Sequence, residues 1–435
     1  MKRERRWSGR RNQLKNKPLA ILSPLCLCLL ASNAWADLEP FTLGASETAQ
    51  HQSNINHTSA AETPNVADWL FTTELDAGLN QALGRDALVA SAAVDFNRYL
   101  HTHSLDGTGY QAAAEFDWST VGDLSGAFGA DSHRRQYVSG ETADLANAGT
   151  TQQTIVNVRN LQTDNHVFGK IVLGGDSRWQ IFGGADANQR DFSNDAFKNQ
   201  EERQWSAHAG TNYSTSPDLN FGLVGSYVSG YYPEGSADGG RSNFNSKSAD
   251  ITTKWQASGS STLDASVGIT SDDNDALGGG ARHFANGSLN WTWKPPSHFG
   301  VSVGLKRSSD ADTSSTGANV GIVNANNLNG TSINNVAHFD VTYELTAKIN
   351  LDATADYTQR KYSNLQLLGS STVVSGTTAT SRFYVMAHYQ PTRTTDLSCG
   401  GGREIRRSDA ALNVDGLSPS YTDNYVQCAA AIHFD

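Results

Sequence analysis

The chain has 435 residues, a formal net charge of −11 at pH 7 and 40 Gly against only 10 Pro. That length fits two or three ordinary domains or one large all-β unit, and a composition rich in Gly, Ser, Thr, Asn and Asp favours many short strands and turns over helices. The acidic balance repels phosphate backbones and argues against nucleic acid as a partner. The negative mean hydropathy of −0.46 leaves a membrane β-barrel open, because only alternate residues of its strands meet lipid.

Residues 1–36 read as a secretory signal peptide. Lys2, Arg3, Arg5, Arg6, Arg10, Arg11, Lys15 and Lys17 form a basic start, Leu19 to Leu30 an apolar core, and Ala34-Trp35-Ala36 the small-x-small cleavage pattern. The core is too short to span a bilayer as a helix, and cleavage is expected near Ala36. Leu25 and Leu27 precede Cys26 and Cys28 where a lipidation signal wants a small residue, so a lipoprotein is rejected. Removing these residues takes away eight basic groups and one acid, leaving 25 Lys+Arg against 43 Asp+Glu, about eighteen negative charges. Residues 37–435 then form the mature domain.

No mature segment supplies the roughly twenty consecutive apolar residues of a membrane-spanning helix. Stretches of about ten residues alternate instead. Tyr110, Ala112, Ala114, Phe116 and Trp118 share one face against Gln111, Glu115 and Asp117. Ala285, Gly287, Leu289, Trp291 and Trp293 oppose Asn286, Ser288 and Asn290, and Ile349, Leu351, Ala353, Ala355 and Tyr357 oppose Asn350, Asp352 and Asp356. Period two with one apolar face is a half-buried strand.

Eighteen such segments are predicted, near 40–50, 69–79, 86–98, 108–118, 121–131, 163–174, 178–187, 203–213, 219–229, 246–257, 261–271, 284–294, 298–307, 335–345, 348–358, 380–389, 395–407 and 423–434. The segments at 40–50 and 163–174 are weak, so sixteen to twenty strands fit the pattern. Long loops follow the odd segments, and tight turns such as Gly175-Asp176-Ser177 and Ser258-Gly259-Ser260 follow the even ones. This is the asymmetry of an all-β, antiparallel, up-and-down outer-membrane barrel, with short periplasmic turns and long extracellular loops.

Trp118, Trp179, Trp255, Trp291 and Trp293 fall at periplasmic strand ends and Trp69 and Trp205 at outer ends, as an aromatic girdle requires. The last strand places Val426, Cys428, Ala430, Ile432 and Phe434 on one face, a terminal aromatic that suits barrel insertion, although Asp435 follows it. Cys399 and Cys428 share the apolar parity of their strands and lie equally far from the centre of the last loop. A cross-strand disulfide is expected.

Several stretches carry a resemblance. Pro40-Phe41-Thr42-Leu43, Asn54-Ile55-Asn56, Leu83-Gly84-Arg85, Ser258 to Asp264 with Gly268, and Trp291-Thr292-Trp293-Lys294-Pro295 resemble the EpsL family, outer-membrane proteins encoded with exopolysaccharide biosynthesis genes. The resemblance implies passage of a secreted polysaccharide across the outer membrane of a Gram-negative bacterium. Lipid, a polysaccharide chain in transit and periplasmic export machinery are the partners it implies.

No nucleophile elbow, His-x-x-x-His pair or Cys/His grouping is found, so no catalytic residue, metal or cofactor is assigned. His101 and His103 fall in a predicted surface loop. Asp272, Asp273, Asn274 and Asp275 fail the calcium-loop register at Leu277 and read as an acidic outer loop. Tyr231 and Tyr232 are placed in an outer loop. Glu74, Asp76, Asp95, Glu115, Asp117, Asp250, Asp264, Asp340, Glu344, Asp352 and Asp356, with the basic Lys170, Lys254 and Arg382, are out of phase with the lipid face and are predicted to line the pore. That excess favours cations and a neutral or weakly charged polymer. The leading reading is an exopolysaccharide export channel, a transport protein and not an enzyme. A general diffusion porin for small solutes and a plugged structural or adhesive barrel are the alternatives.

Overall fold

The computed structural model describes residues 40–57, 65–137, 159–175, 177–234, 241–274, 281–309, 331–366, 373–414 and 420–434. The signal peptide expected at 1–36, Asp176, Asp275 and most of the segment 308–334 lie outside the described residues.

Eighteen strands run in chain order: β1 Phe41–Gln52, β2 Asp68–Leu83, β3 Asp86–Tyr99, β4 Gly107–Ser119, β5 Leu124–Gln136, β6 Leu161–Leu173, β7 Trp179–Phe192, β8 Glu202–Ser216, β9 Leu219–Tyr232, β10 Ser242–Ser258, β11 Ser261–Asn274, β12 Arg282–Trp293, β13 Phe299–Ser309, β14 Thr331–Thr346, β15 Ile349–Gln366, β16 Val373–Tyr389, β17 Thr395–Ser408 and β18 Tyr421–Phe434. Each pairs antiparallel with its sequence neighbours, and β1 also pairs with β18, so the sheet closes on itself and leaves no edge. The weak segments at 40–50 and 163–174 are the full strands β1 and β6.

The strands overrun the alternating segments, mostly at the long-loop end. β15 has 18 residues and β10 has 17, whereas a tilted strand crosses a bilayer in about 9–11. The hydrogen-bonded ladder needs no apolar face once it has left lipid, so polar residues carry the hairpins further. Two expectations are corrected for this reason. Asp272, Asp273 and Asn274 end β11 rather than forming a loop, and Tyr231 and Tyr232 end β9. At the short-turn end β5 starts at Leu124, not at 121, because the residues before it make the turn from β4. Two residues suffice to join β2 to β3, where Gly84 supplies a φ of 74°, a left-handed geometry that two-residue hairpin turns demand and glycine tolerates.

Parity sorts the wall into two faces. Ile181, Leu223, Ile251, Val267, Ile269 and Val426 point outward, and Ile269 is 70% exposed. Each such side chain left in water forfeits about 1.5–3 kcal/mol relative to burial, so a few of them match the entire stability of an ordinary domain, roughly 5–15 kcal/mol. Lipid around the barrel removes that cost, and the protein is a transmembrane barrel. Trp69 and Trp205 stand outward at the long-loop end. Trp118, Trp179, Trp255, Trp291 and Trp293 stand outward at the short-turn end, giving an aromatic ring at each rim.

Cys399 and Cys428 face each other in register on the outward side, and a disulfide joins them with a Cα–Cα distance of 4.1 Å. Outward-facing bases on the strands keep to the long-loop half: Arg98, Arg134, Arg203, Lys247, Arg307, Lys361, Arg403 and Arg407. Glu47, near the middle of β1, is an outward acid, and its Oε2 accepts a hydrogen bond from Thr73 Oγ1 at 2.6 Å.

Candidate functional site in the barrel lumen

The inward face is set by the same registers. Glu74 pairs with Asp95, Asp117 with Ala127, Ala127 with Lys170, Asp250 with Gly268, Lys254 with Asp264, Asp340 with Thr354, Asp352 with Met386 and Asp356 with Arg382. Asp76, Glu115 and Glu344 share these faces, so all fourteen residues predicted to line the pore lie opposite the tryptophans. Alternation alone carries this result, because a side-chain period of two leaves each strand residue only two directions.

The lining divides along the axis. Toward the short turns the side chains meet water: Asp117, Lys170, Lys254 and Glu344 are exposed, and Glu115, Asp264, Asp352 and Asp396 half-buried. Lys170 Nζ stands 2.9 Å from Glu115 Oε1. His388 reaches from Asp352, at 3.3 Å, to Asp396, at 3.7 Å. A lumenal recess of about 470 Å³ is lined here by Phe182, Asn212, Asn220, Thr252, Lys254 and Asp264.

Toward the long loops the inward side chains are buried or half-buried. Asp423 is 2% exposed, Asp272 4% and Arg360 6%. Part of the cause is packing from the loops, and part is packing between wall residues. Ile55 and Leu105 pack with inward Tyr99 and Leu70, Phe197 with Tyr137 and inward Phe192, and Val228, Tyr232 and Phe244 with one another. Leu412, in the short helix Ala410–Val414, is fully buried. A Cβ at inward-facing Gly376 would stand 2.7 Å from Leu412 Cγ, so glycine is what admits the helix to the wall. These segments pack against the inward face at the long-loop end.

Charged networks brace the same zone. Arg382 donates to Glu404 Oε2 from Nε at 2.8 Å and lies 2.7 Å from it through Nη2, while Tyr421 donates to Glu404 Oε1. Arg190 holds Asp164 at 2.8 Å and Glu202 at 3.4 Å, and His133 lies 3.1 Å from Asp164. His338 meets Asp356 at 2.6 Å and His166 meets Asp131 at 2.7 Å. Arg360 donates to Asn334 Oδ1 and the Tyr362 hydroxyl. Replacing Arg382 by Ala strands the Glu404 carboxylate beside Tyr421. Breaking a buried pair costs about 3–5 kcal/mol; the Arg382 side chain is 31% exposed, so a loss of about 2–3 kcal/mol is expected in urea unfolding of the detergent-solubilised barrel, with Arg382→Lys recovering part of it.

Alternation in the sequence singles out only three lumenal bases. Register adds Arg135, Arg190, Arg282, Lys306, Arg360 and Arg406 to the inward face, all toward the long loops. It also adds the acids Asp131, Asp164, Asp186, Glu202, Asp396, Glu404 and Asp423. Most of these lie in polar strand extensions beyond the apolar series, where the pairing registers assign the face; Asp396 is out of phase with outward Leu397 and Cys399. His101 and His103 lie in the β3–β4 loop. His101 Nδ1 is 3.0 Å from Asp68 Oδ1, and Asp68 also accepts the backbone N–H groups of Trp69, His101 and Thr102, a structural anchor. Among the described residues no group of three or more His, Cys, Asp or Glu is placed to hold a metal ion.

The sequence matches no family model and no curated protein. Among solved structures, the chain is similar to the outer membrane protein opdK of Pseudomonas aeruginosa at 12% identity, over 92% of this chain and 100% of that one, with a TM-score of 0.48. A BenF-like porin from Pseudomonas fluorescens Pf-5 gives 13%, 92%, 100% and 0.48. OccK9 (OpdG) of Pseudomonas aeruginosa gives 13%, 91%, 98% and 0.47.

Proposed function

We propose that the protein is a passive channel of the Gram-negative outer membrane that admits small hydrophilic solutes, cations ahead of anions. The observation that carries this reading is the inward face of a closed barrel, rich in polar and charged side chains. A lipid-embedded wall with no lumenal purpose has no physical reason to keep so many carboxylates inside. Loop segments packed on the inward face at the long-loop end favour small solutes over a polymer, and therefore diffusion over export. The asymmetry of short turns and long loops orients the short turns to the periplasm and the long loops to the exterior.

Polysaccharide export, implied by the resemblance to the EpsL family, is the second reading. Inward-facing Tyr384 and Tyr425 favour it: they flank Gly402, whose missing side chain leaves their rings room along the wall, and aromatic faces suit sugar rings. Liposomes carrying the mature protein test the first reading. They should swell in arabinose or glycine and resist a long oligosaccharide; liposomes that swell in none of these refute it. Deletion of the gene separates the two, since loss of secreted polymer with unchanged small-solute permeability favours export.

A further inference from the structure

The lumenal recess of about 470 Å³ lies on the wall formed by β7 to β12, and Lys254 and Asp264 are the only charged residues that line it. They face each other in register across β10 and β11. Among the described residues neither side chain makes a hydrogen bond or an ion pair. The neighbouring charges of this half of the lumen are engaged instead: Lys170 is bound to Glu115, and His388 is shared by Asp352 and Asp396. In an acidic lumen the recess is therefore locally balanced, with one free ammonium beside one free carboxylate. An exposed ion pair contributes little, so a solute that carries both charges can replace that single contact with two at small cost.

Two inward glycines shape the rest of the recess. A Cβ at Gly222 would meet both Asn212 Oδ1 and Thr252 Oγ1, so these two polar groups converge over bare backbone in the row next to the charged pair. One row farther from the short turns, a Cβ at Gly210 would stand 2.6 Å from Phe182 Cζ, so the Phe182 ring lies across the wall there, level with Val224, which is 4% exposed. Up the wall the order is thus opposite charges, polar groups, apolar surface. An α-amino acid has the same order, an ammonium and a carboxylate at one end and a side chain at the other. A sugar brings no charge to either pole, a simple cation meets only Asp264, and a simple anion only Lys254. Hydrogen bonds between ionised partners are the stronger ones, so meeting both poles decides the preference.

From this arrangement we infer that the recess binds neutral α-amino acids, with the carboxylate at Lys254, the ammonium at Asp264 and an apolar side chain over Gly222 toward Phe182 and Val224. The inference rests on the reading of the barrel as a channel for small hydrophilic solutes and names one solute class for it. Saturation-transfer NMR of the purified barrel in detergent reads binding whether or not solutes cross, with L-leucine, L-leucinamide and N-acetyl-L-leucine as probes at neutral pH. L-Leucine should bind at least about tenfold more strongly than either blocked form, a difference of about 1.4 kcal/mol. Lys254→Gln should bring it down to the level of the amide, and Asp264→Asn down to the level of the N-acetyl form. The double variant Lys254→Gln/Asp264→Asn leaves the net charge of the lumen unchanged and should abolish the preference. Equal binding of the three probes, a preference that survives in the double variant, or displacement of L-leucine by arabinose as readily as by glycine overturns the inference. L-Leucine preferred by a barrel whose liposomes do not swell refutes the channel reading alone, and swelling without that preference refutes this inference alone.

Discussion

Under a KCl gradient at low ionic strength, a bilayer holding this barrel is expected to show a reversal potential of cation-selective sign. The exposed half of the lumen carries Glu115, Asp117, Asp264, Glu344, Asp352 and Asp396, with Lys170 and Lys254 as the bases on its strands. The remaining lumenal bases lie toward the long loops, where Arg190 and Arg382 are already matched to carboxylates. Low-dielectric walls focus the uncompensated field into the bore. At 0.1 M salt the screening length is about 10 Å, comparable to a pore radius, and at 1 M it falls to about 3 Å. Potassium should therefore pass several-fold more readily than chloride at 0.1 M and nearly equally at 1 M. Replacing Glu344, Asp352 and Asp396 together by Lys should reverse the sign at low salt. Anion selectivity of the unaltered protein at low salt would contradict the lumen assignment.

Removing the Cys399–Cys428 bond is expected to give the largest single loss of stability. The bond closes a sequence separation of 29 residues, and loop-closure entropy puts its contribution at about 3.5 kcal/mol. Both residues face outward on β17 and β18, so Cys→Ala keeps the lipid face apolar and the change reports the cross-link. The double Ala variant should lose its folded, fast-migrating form at lower temperature by the heat-modifiability assay, and each single variant should lose as much. The unaltered protein, denatured without reductant, should take up no maleimide tag and two after reduction. Tags taken up without reduction would show free thiols.

Alternation by itself determined most of this fold. A period-two apolar series such as Ile349 to Tyr357 leaves a strand only two faces, and lipid on one side decides between them. The loop asymmetry then ordered eighteen such strands into one up-and-down barrel, and parity was enough to place Asp352 and Asp356 inside and Trp291 and Trp293 outside. Those are local properties, repeated strand by strand.

The tertiary structure alone decided what happens where the apolar series stops. Arg190, Glu404 and Asp423 sit in polar strand extensions whose parity has no lipid face to anchor it, and only pairing with neighbours far along the chain shows them inward. Asp272 reads as loop because it is polar, yet the ladder with β10 carries it into a strand and buries it. The packing at the long-loop end depends on Leu412 meeting Gly376 and on Ile55 meeting Tyr99, contacts between loops and walls that no periodicity encodes. Register likewise brings Arg203, Tyr231 and Asn243, from three strands, level on the outward face. A sequence pattern specifies which way a residue points; which residues stand at the same height is set by the pairing of the closed sheet.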